Sequence, residues 1–377
     1  MKLLIKEIVS KVFPTESLAT WDTGKISLEN KFLAIFGQEE LRWIIPQNPQ
    51  YGLPVLQQWR PYGALSYLKW MILLFLYRIG KLEKLPGVHS FGIIQAVNSN
   101  WQHLGKIRKK LIPTIYVGTP GSTRKAIAFL SDRDTNNLYG IAKVPLETKA
   151  ANRILQEIDT LTCLAAEKPN LAPRKLFCDR DRGIAVQTPI LGKPVTKGLS
   201  VAHLEWLSSL VIPKATTSIS EQAVKLRERL KTLSNFNLGD YQLFDEVISS
   251  LNNSTPLPLT WVHGDFAPWN LKWIEPQKIA VLDWEEARPN GLPLQDLFHY
   301  FYIQSHLLQP NPHLLDCLFK MPIVVKYLQS LEIDRSCYEQ LAKFYLADSW
   351  IRSIEKQDFL YATFVIKEIT YFRENKI

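Results

Sequence analysis

Short β-branched and aromatic runs separated by turn residues mark the chain from about residue 113 onward. The runs TIYVG, KAIAFLSD and LYGIAKVP are separated by the turn sequences PGST and DTNN, an arrangement typical of an antiparallel meander. A helix over residues 149–166 is predicted next, because Ile154, Ile158 and Leu161 recur at helical spacing. Two further runs, RKLFCDR and GIAVQTPI, predict the strands that complete the sheet.

Beyond Gly192 the pattern of apolar positions is mostly helical to the end of the chain. Only the stretch 260–284 interrupts it, with two short apolar runs. The pattern therefore predicts an α+β protein. A small lobe built on an antiparallel sheet, residues 113–191, precedes a larger helical lobe, residues 192–377.

The first 112 residues form a third region, rich in aromatic residues and proline. Its tryptophans are Trp21, Trp43, Trp59, Trp70 and Trp101. The clearest predicted element is a helix near residues 64–80, ended by Gly80. The remainder is predicted to be an irregular extension of unassigned role.

Composition indicates a folded protein with no disulfide framework. The 377 residues are 46% apolar and 21% charged, close to the average for globular domains. The four cysteines are scattered without a CxxC pair, which argues against a zinc site and favours a reducing cytosol. The longest apolar run, Trp70 to Tyr77, is far shorter than the ~20 residues needed to cross a bilayer. At the N-terminus, charged residues interrupt the apolar stretch before it reaches the length of a secretion signal.

Positive charge is concentrated at the start of the chain. The net charge is +9, and residues 1–112 contribute +8 of it, with 15 basic and 7 acidic side chains. Such a surface attracts anions, although an ordinary solvated face is the simpler interpretation. The apolar run at 70–77, bracketed by Lys69 and Arg78, would suit an anionic membrane surface.

A second basic group stands just before the predicted sheet, at Lys106, Arg108, Lys109 and Lys110. No recognised nucleic-acid motif accompanies it, so a nucleic acid is not an expected partner.

The residues with the clearest chemical meaning lie in WVHGDFAPWNLKW and IAVLDWEEA. The first segment contains Asp265 and Asn270, and the second contains Asp283, each at the end of an apolar run. Phosphoryl transfer needs one carboxylate to orient the attacking hydroxyl and accept its proton. It also needs a second carboxylate and an amide oxygen to hold Mg²⁺. The five-residue spacing from Asp265 to Asn270 matches the catalytic loop of protein kinases.

HGDFAPWN followed by LDWEEA resembles the signature of the aminoglycoside phosphotransferase and choline kinase family, small-molecule relatives of the protein kinases. The resemblance implies a bilobal, protein-kinase-like fold. It also implies that Asp265 is the catalytic base, that Asn270 is a metal ligand and that Asp283 is the principal Mg²⁺ ligand. The other motif residues have supporting roles in that family: His263, Trp284 and Glu285.

Lys143 is the candidate for holding the phosphates of ATP. It lies between the apolar residues Ala142 and Val144 in a predicted strand, and a buried ammonium there needs an anionic partner. The resemblance implies a lysine at this place that contacts the α- and β-phosphates and pairs with a glutamate on the next helix. Glu157 is the candidate for that glutamate, and Glu147 is the weaker alternative.

Two further segments are expected to contact the nucleotide. Between the first two strands, small residues allow the backbone to approach phosphate and supply hydroxyl donors: Gly118, Gly121, Ser122 and Thr123. This loop departs from GxGxxG, and Pro120 removes one N–H donor. After the fifth strand, three residues occupy the place of the hinge that meets adenine: Gln187, Pro189 and Ile190.

The expected activity is the ATP- and Mg²⁺-dependent phosphorylation of a hydroxyl on a small molecule, of the sugar, amino-alcohol or aminoglycoside type. The net charge of +9 favours a neutral or anionic acceptor over a polycation. The alternative is a kinase-like protein that binds nucleotide as a scaffold, with or without a membrane surface. Asp296, which precedes an apolar helical run, is expected to brace a loop and not to bind metal.

Overall fold

The computed structural model describes residues 1–13, 18–24, 26–37, 39–94, 111–168, 171–234, 236–308 and 314–375. Trp101 and the basic group from Lys106 to Lys110 lie outside the described residues. The chain divides into two compact units. The first contains Met1–Pro194 with Ala280–Glu285, and the second contains Val195–Ile279 with Glu286–Ile377.

A nine-stranded antiparallel sheet organises the described part of the first unit. Its strands are β1 (Leu18–Thr20), β2 (Lys31–Gly37), β3 (Glu40–Pro46), β4 (Val88–Ile94), β5 (Leu111–Val117), β6 (Lys125–Asp132), β7 (Leu138–Pro145), β8 (Lys175–Asp179) and β9 (Ile184–Gln187). They lie in the order β1-β4-β2-β3-β5-β6-β7-β9-β8. The helices of this unit are α1 (Lys2–Val12), α2 (Pro49–Leu56), α3 (Ala64–Arg78) and α4 (Thr148–Glu167), and a short strand, β10 (Lys193–Pro194), ends it.

The predicted α+β class is confirmed, and the strands and helix predicted from residue 113 onward are present. β6 and β7 have the bounds of KAIAFLSD and LYGIAKVP, and α4 extends the predicted helix by one residue at each end. The sequence predicts these elements well because turn residues separate them and their apolar residues are regularly spaced.

The prediction of an irregular extension over residues 1–112 is wrong. This region forms α1 to α3 and β1 to β4, and β3 pairs with β5 through Trp43 opposite Tyr116 and Ile44 opposite Ile115. The first four strands therefore extend the same sheet. Four consecutive residues of β2 are buried, which gives a continuous apolar run in place of the alternation that marks a half-exposed strand. The boundary proposed at residue 112 remains a prediction about domains.

Both faces of the enlarged sheet are covered, which explains that burial. Phe32 of β2 and Ile44 of β3 join one buried cluster together with Ile5 and Ile8 of α1. The residues that alternate with them join a second cluster, which includes Trp43, Trp70 and Tyr77 from β3 and α3. Successive side chains of a strand point to opposite faces, so each strand supplies both cores.

The second unit is mainly helical. Its helices are α5 (Val201–Ser209), α6 (Ile219–Lys231), α7 (Leu238–Ser249), α8 (Gln295–Leu307), α9 (Leu314–Leu318), α10 (Pro322–Ser330), α11 (Tyr338–Lys356) and α12 (Phe359–Asn375). Its strands are β11 (Val211–Thr217), β12 (Leu257–Val262), β13 (Leu271–Glu275), the start of β14 (Lys278–Val281) and β15 (Arg288–Gly291). β12 lies between β11 and β15 in a small antiparallel sheet. Among the helices of the described residues, none combines the length and apolarity required to cross a membrane.

Candidate active site

The first unit holds Lys143, Glu157 and Asp283 together. Lys143 Nζ donates to Glu157 Oε1 at 2.7 Å, to Glu157 Oε2 at 2.6 Å and to Asp283 Oδ1 at 2.6 Å. Lys143 is 4% exposed and Glu157 is 1% exposed. The sequence predicted the pairing of Lys143 with Glu157, and the structure forms it with both carboxylate oxygens.

Local structure explains why these side chains meet. Lys143 lies in the middle of β7, opposite Ile127 of β6 and Ala185 of β9, so its strand is paired on both sides. Glu157 lies on the buried face of α4, three residues after Ile154. The Trp284 backbone N–H donates to Glu157 Oε1 at 3.2 Å, which holds the segment after Asp283 on the same carboxylate.

Lys143 and the carboxylates around it stabilise one another's charged forms. Burial lowers the pKa of Lys143, but the nearby carboxylates of Asp283 and Glu157 outweigh burial and raise that pKa above its ordinary value. Lys143 is therefore an ammonium at neutral pH. A permanently charged, buried and fixed cation is the kind of group that binds a phosphate without reorganising.

Lys125 and Glu285 add a second ion pair that sequence reasoning did not identify. Lys125 Nζ contacts the Glu285 carboxylate and lies 3.4 Å from Asp283 Oδ1. Arg153 Nη1 lies 3.8 Å from Glu285 Oε1, the carboxylate oxygen that Lys125 does not contact. The pairing of β6 with β7 could have identified Lys125. Lys143 pairs with Ile127 across these strands, and Lys125 is two residues before Ile127, so Lys125 and Lys143 lie on the same face of the sheet.

Three carboxylates of this group form a set suited to a hard cation. Oxygen atoms of Glu157, Asp283 and Glu285 all lie within 4.8 Å of one another. Carboxylate oxygens are ligands that Mg²⁺ prefers. Because Lys143 and Lys125 already neutralise part of this charge, the set fits a divalent cation that arrives together with an anion better than a cation alone.

Asp283 has an unusual backbone conformation. Its φ is +63°, in the left-handed region that non-glycine residues seldom adopt. Residues held in such conformations are kept there by their surroundings and concentrate at functional sites. Here the contacts of Asp283 with Lys143 and of Trp284 with Glu157 supply the restraint.

The predicted nucleotide segments also lie in the first unit. The residues 118–123 form the turn between β5 and β6, closed by the Gly118 N–H donating to Lys125 O at 3.0 Å. The Arg124 guanidinium donates to Gly118 O at 3.1 Å and braces the turn from inside. Gly121 and Ser122 are exposed, and Thr123 is partly exposed. Gln187 is buried at the end of β9, and Pro189 and Ile190 follow it outside the sheet.

The second unit places Asp265 and Asn270 side by side. Asp265 follows β12, and a single turn of 3-10 helix at Pro268–Asn270 brings Asn270 back toward it. Asn270 Nδ2 donates to Asp265 Oδ2 at 2.8 Å and to Asp265 O at 2.9 Å. The five-residue spacing read from the sequence thus corresponds to direct contact.

Asp296 braces the start of this loop, as predicted. Its carboxylate accepts the backbone N–H groups of His263 at 2.7 Å and Gly264 at 2.8 Å. His263 is fully buried, and its Nδ1 accepts the Asp265 backbone N–H at 3.3 Å. These bonds fix the backbone on both sides of Gly264, and so they fix the direction in which Asp265 leaves the strand.

His299 is a further neighbour of Asp265 that sequence reasoning missed. His299 Nε2 lies 3.1 Å from Asp265 Oδ1, and Tyr345 Oη lies 3.4 Å from His299 Nδ1. Burial raises the pKa of Tyr345 to about 12, so its phenol stays protonated. Tyr345 Oη also lies 3.1 Å from Tyr361 Oη. The available signal was helical spacing, because His299 lies one turn after Asp296 on α8.

Residues 139–312 match the model of the phosphotransferase enzyme family. The resemblance to the aminoglycoside phosphotransferase and choline kinase family is thereby confirmed for this part of the chain. The match includes Lys143, Glu157, Asp265 and Asp283, whereas Lys125 lies before it. No curated protein matches the chain significantly.

Solved structures of three enzymes are similar to this chain. A putative fructosamine-3-kinase from Thermobifida fusca is 14% identical, with a TM-score of 0.48, over 70% of this chain and 93% of its own. Choline kinase LicA from Streptococcus pneumoniae is 12% identical, with a TM-score of 0.46, over 72% and 97%. The aminoglycoside phosphotransferase APH(2″)-IIIa, bound to GDP and kanamycin, is 11% identical, with a TM-score of 0.46, over 74% and 98%.

Proposed function

We propose that the protein transfers the γ-phosphate of ATP to a hydroxyl group of a small molecule. One observation carries the proposal: the ammonium of Lys143 is buried between Glu157 and Asp283 at hydrogen-bonding distance. Protein kinases need this strand-lysine to helix-glutamate pair in order to hold ATP productively. Asp265, which Asn270 holds by a hydrogen bond, would act on the acceptor hydroxyl.

Asp265 would orient the acceptor hydroxyl and accept its proton as the oxygen attacks the γ-phosphorus and ADP departs. One of its carboxylate oxygens is held by Asn270 and the other by His299, which restricts rotation of the group. Fixing a reacting group in this way lowers the entropic part of the barrier.

Asn270 and Asp283 would hold Mg²⁺, which when bound neutralises the charge of the triphosphate. The Asn270 amide nitrogen is used on Asp265, so the amide oxygen is its remaining ligand atom. Lys143 would contact the α- and β-phosphates, and His263, Trp284 and Glu285 would support the two loops. The remaining nucleotide contacts belong to the same proposal: Gly118, Gly121, Ser122, Thr123, Gln187, Pro189 and Ile190.

The acceptor class follows from charge. With a net charge of +9, the chain is better suited to a neutral or anionic sugar-type molecule than to a polycationic aminoglycoside. The reducing cytosol is the proposed place of action, in keeping with four free cysteines in the described residues.

The decisive experiment is an ATP-consumption screen of the full chain against neutral sugars, sugar phosphates, amino-alcohols and aminoglycosides. One class should release ADP above the Asp265→Ala blank, in which turnover falls by about 10²- to 10⁴-fold. Calorimetry should show that Asp265→Ala still binds ATP, whereas Asp283→Asn should lose metal-dependent binding. ATP binding without turnover on any acceptor would favour the alternative, a nucleotide-binding scaffold. Undiminished activity in Asp283→Asn would contradict the metal assignment.

A further inference from the structure

Helix α3 carries an apolar face that nothing in the described structure covers. Four residues of the helix and the residue that caps its C-terminal end are 44 to 66% exposed: Leu65, Leu68, Ile72, Phe75 and the cap Ile79. They are separated by three or four residues, so they form one continuous line along the helix, here called the outer stripe. Exposed apolar surface of this kind marks an interaction site more often than a chance arrangement.

The opposite face of α3 attaches the helix to the sheet. Trp70 and Tyr77 are buried there, Tyr77 Oη donates to Pro46 O at 2.6 Å, and Trp70 Nε1 donates to Trp59 O at 3.1 Å. At ~100° per residue, the outer stripe lies roughly opposite these two anchors. The buried cluster therefore accounts for Trp70 and Tyr77, together with the partly buried Leu73, Leu74 and Leu76, and it does not include the outer stripe.

The charged residues beside the outer stripe indicate what kind of partner this face binds. Lys69 and Arg78 are exposed, and by helical geometry they lie on either side of the stripe. Residues 41–82 contain five basic and no acidic side chains. A second copy docked on this face would bring cations against cations, whereas an anionic surface complements both flanks.

The shape of the face favours a fluid surface over a protein groove. Residues 63–69, the first half of α3 with its preceding glycine, are all exposed, so the helix stands out as a ridge. The helix has 15 residues, about 22 Å at 1.5 Å per residue, compared with the ~30 Å hydrocarbon core of a bilayer. Its length therefore suits a helix lying along a membrane.

We propose that α3 docks the protein on an anionic membrane surface. The outer stripe enters the boundary between headgroups and acyl chains, while Lys69 and Arg78 contact lipid phosphates. The proposal concerns location and is independent of the phosphotransfer activity.

Vesicle co-sedimentation of the full chain tests the proposal. The protein should bind phosphatidylcholine vesicles containing phosphatidylglycerol at low salt, and binding should weaken at about 1 M salt, where the Debye length is only about 3 Å. The double variant Leu68→Gln/Phe75→Gln should bind at least about tenfold more weakly, because it removes two inserted side chains. The matched control is Val224→Gln/Leu360→Gln, two residues of the second unit that are 62% and 79% exposed.

A third variant separates the role of charge. Lys69→Gln/Arg78→Gln should lose the preference for anionic over neutral vesicles. Thermal unfolding should be unchanged in all variants, since each replaces exposed side chains. The proposal is overturned by absence of binding to anionic vesicles at low salt, by equal losses in the stripe and control variants, or by an undiminished lipid preference in Lys69→Gln/Arg78→Gln. A self-association that the Leu68→Gln/Phe75→Gln change abolishes, without vesicle binding, would reassign the face to a second copy.

Discussion

At the scale of single residues, Gly264 shows how backbone geometry sets the direction of Asp265. Its φ is +81°, and a Cβ atom there would lie 2.5 Å from Glu286 O and 3.1 Å from Arg352 Nη2. Arg352 in turn donates to Gly264 O at 3.2 Å and pairs with Glu286 at 3.1 Å. Glycine is therefore required at this position for conformation and for space.

Gly264→Ala should destabilise the protein more than the same change at a glycine that needs only its conformation. Gly80 has φ of +68°, and a Cβ atom at that position would meet nothing within 4 Å, so Gly80→Ala is the matched control. We expect about 1–2 kcal/mol for Gly80→Ala from backbone conformation, and about 1–3 kcal/mol more for Gly264→Ala from the clash. Urea unfolding measures both, and equal losses would contradict the steric argument.

His299 should act as a positioning residue for Asp265. His299→Ala removes the contact with Asp265 Oδ1. If the proposed activity holds, kcat should fall by about 10- to 100-fold while KM for ATP changes little, because the proposed nucleotide contacts are other residues. His299→Gln keeps a side-chain N–H donor and should recover part of kcat. His89→Gln, a substitution in β4 of the first unit, is the control. A loss confined to KM for ATP would argue against this role.

The sequence predicted the residues of the motifs, but it did not predict the residues that contact them in the folded structure. Asp265, Asn270 and Asp283 are recognisable because their spacing along the chain matches the motif from which their roles are proposed. Lys125 and His299 contact the same carboxylates through strand register and helix packing. Such contacts exist only after distant segments have folded together, so local spacing does not reveal them.

At the scale of elements, α12 carries a pH-sensitive group. Burial raises the pKa of Glu368 to about 7 from its ordinary 4.5. Between about pH 4.5 and 7 the folded protein retains a proton that the unfolded chain has released. The free energy of unfolding contributed by this group therefore falls as pH rises through that window.

Glu368→Gln should consequently raise the melting temperature at about pH 8 and leave it nearly unchanged at about pH 4, because the substituted amide resembles the protonated acid. Partial exposure of Glu368 reduces the size of the effect. Glu374→Gln, an exposed glutamate of the same helix, is the control. Equal shifts at both pH values would contradict the assignment.

The elements that sequence predicted well differ physically from those it missed. β6, β7 and α4 are bounded by clear turn residues and have regular apolar spacing. β2 is buried on both faces, so its run KFLAIFG lacks the period of two that marks a half-exposed strand. Residues of α1 and α3 pack on its two faces. This packing depends on tertiary structure, so the local sequence does not reveal it.

At the scale of the whole molecule, the first four strands, β1 to β4, are part of the sheet that carries Lys143. β3 pairs with β5, and Ile44 and Ile115 are both fully buried at that junction. Removing the first four strands would expose the edge of β5 and one side of two cores. Long apolar edges of this kind promote aggregation.

A chain that begins at Leu111 should therefore fail to unfold cooperatively and should precipitate, although it retains every residue matched by the family. Co-expression of residues 1–110 as a separate fragment should restore solubility if the two pieces pair through β3 and β5. Circular dichroism and sedimentation measure the outcome. A soluble, cooperatively folding truncated protein would show that the first strands are dispensable.

The pairing of β3 with β5 also has a consequence for synthesis on the ribosome. β1 to β4 neighbour one another in the sheet and emerge first, so they can hydrogen-bond before any later strand exists. β3 is then an open border onto which β5, β6 and β7 add in the order of translation. The nascent N-terminal portion would thus serve as a template for the strands that end with β7, which holds Lys143, and slow codons placed after residue 94 would give that template time to form.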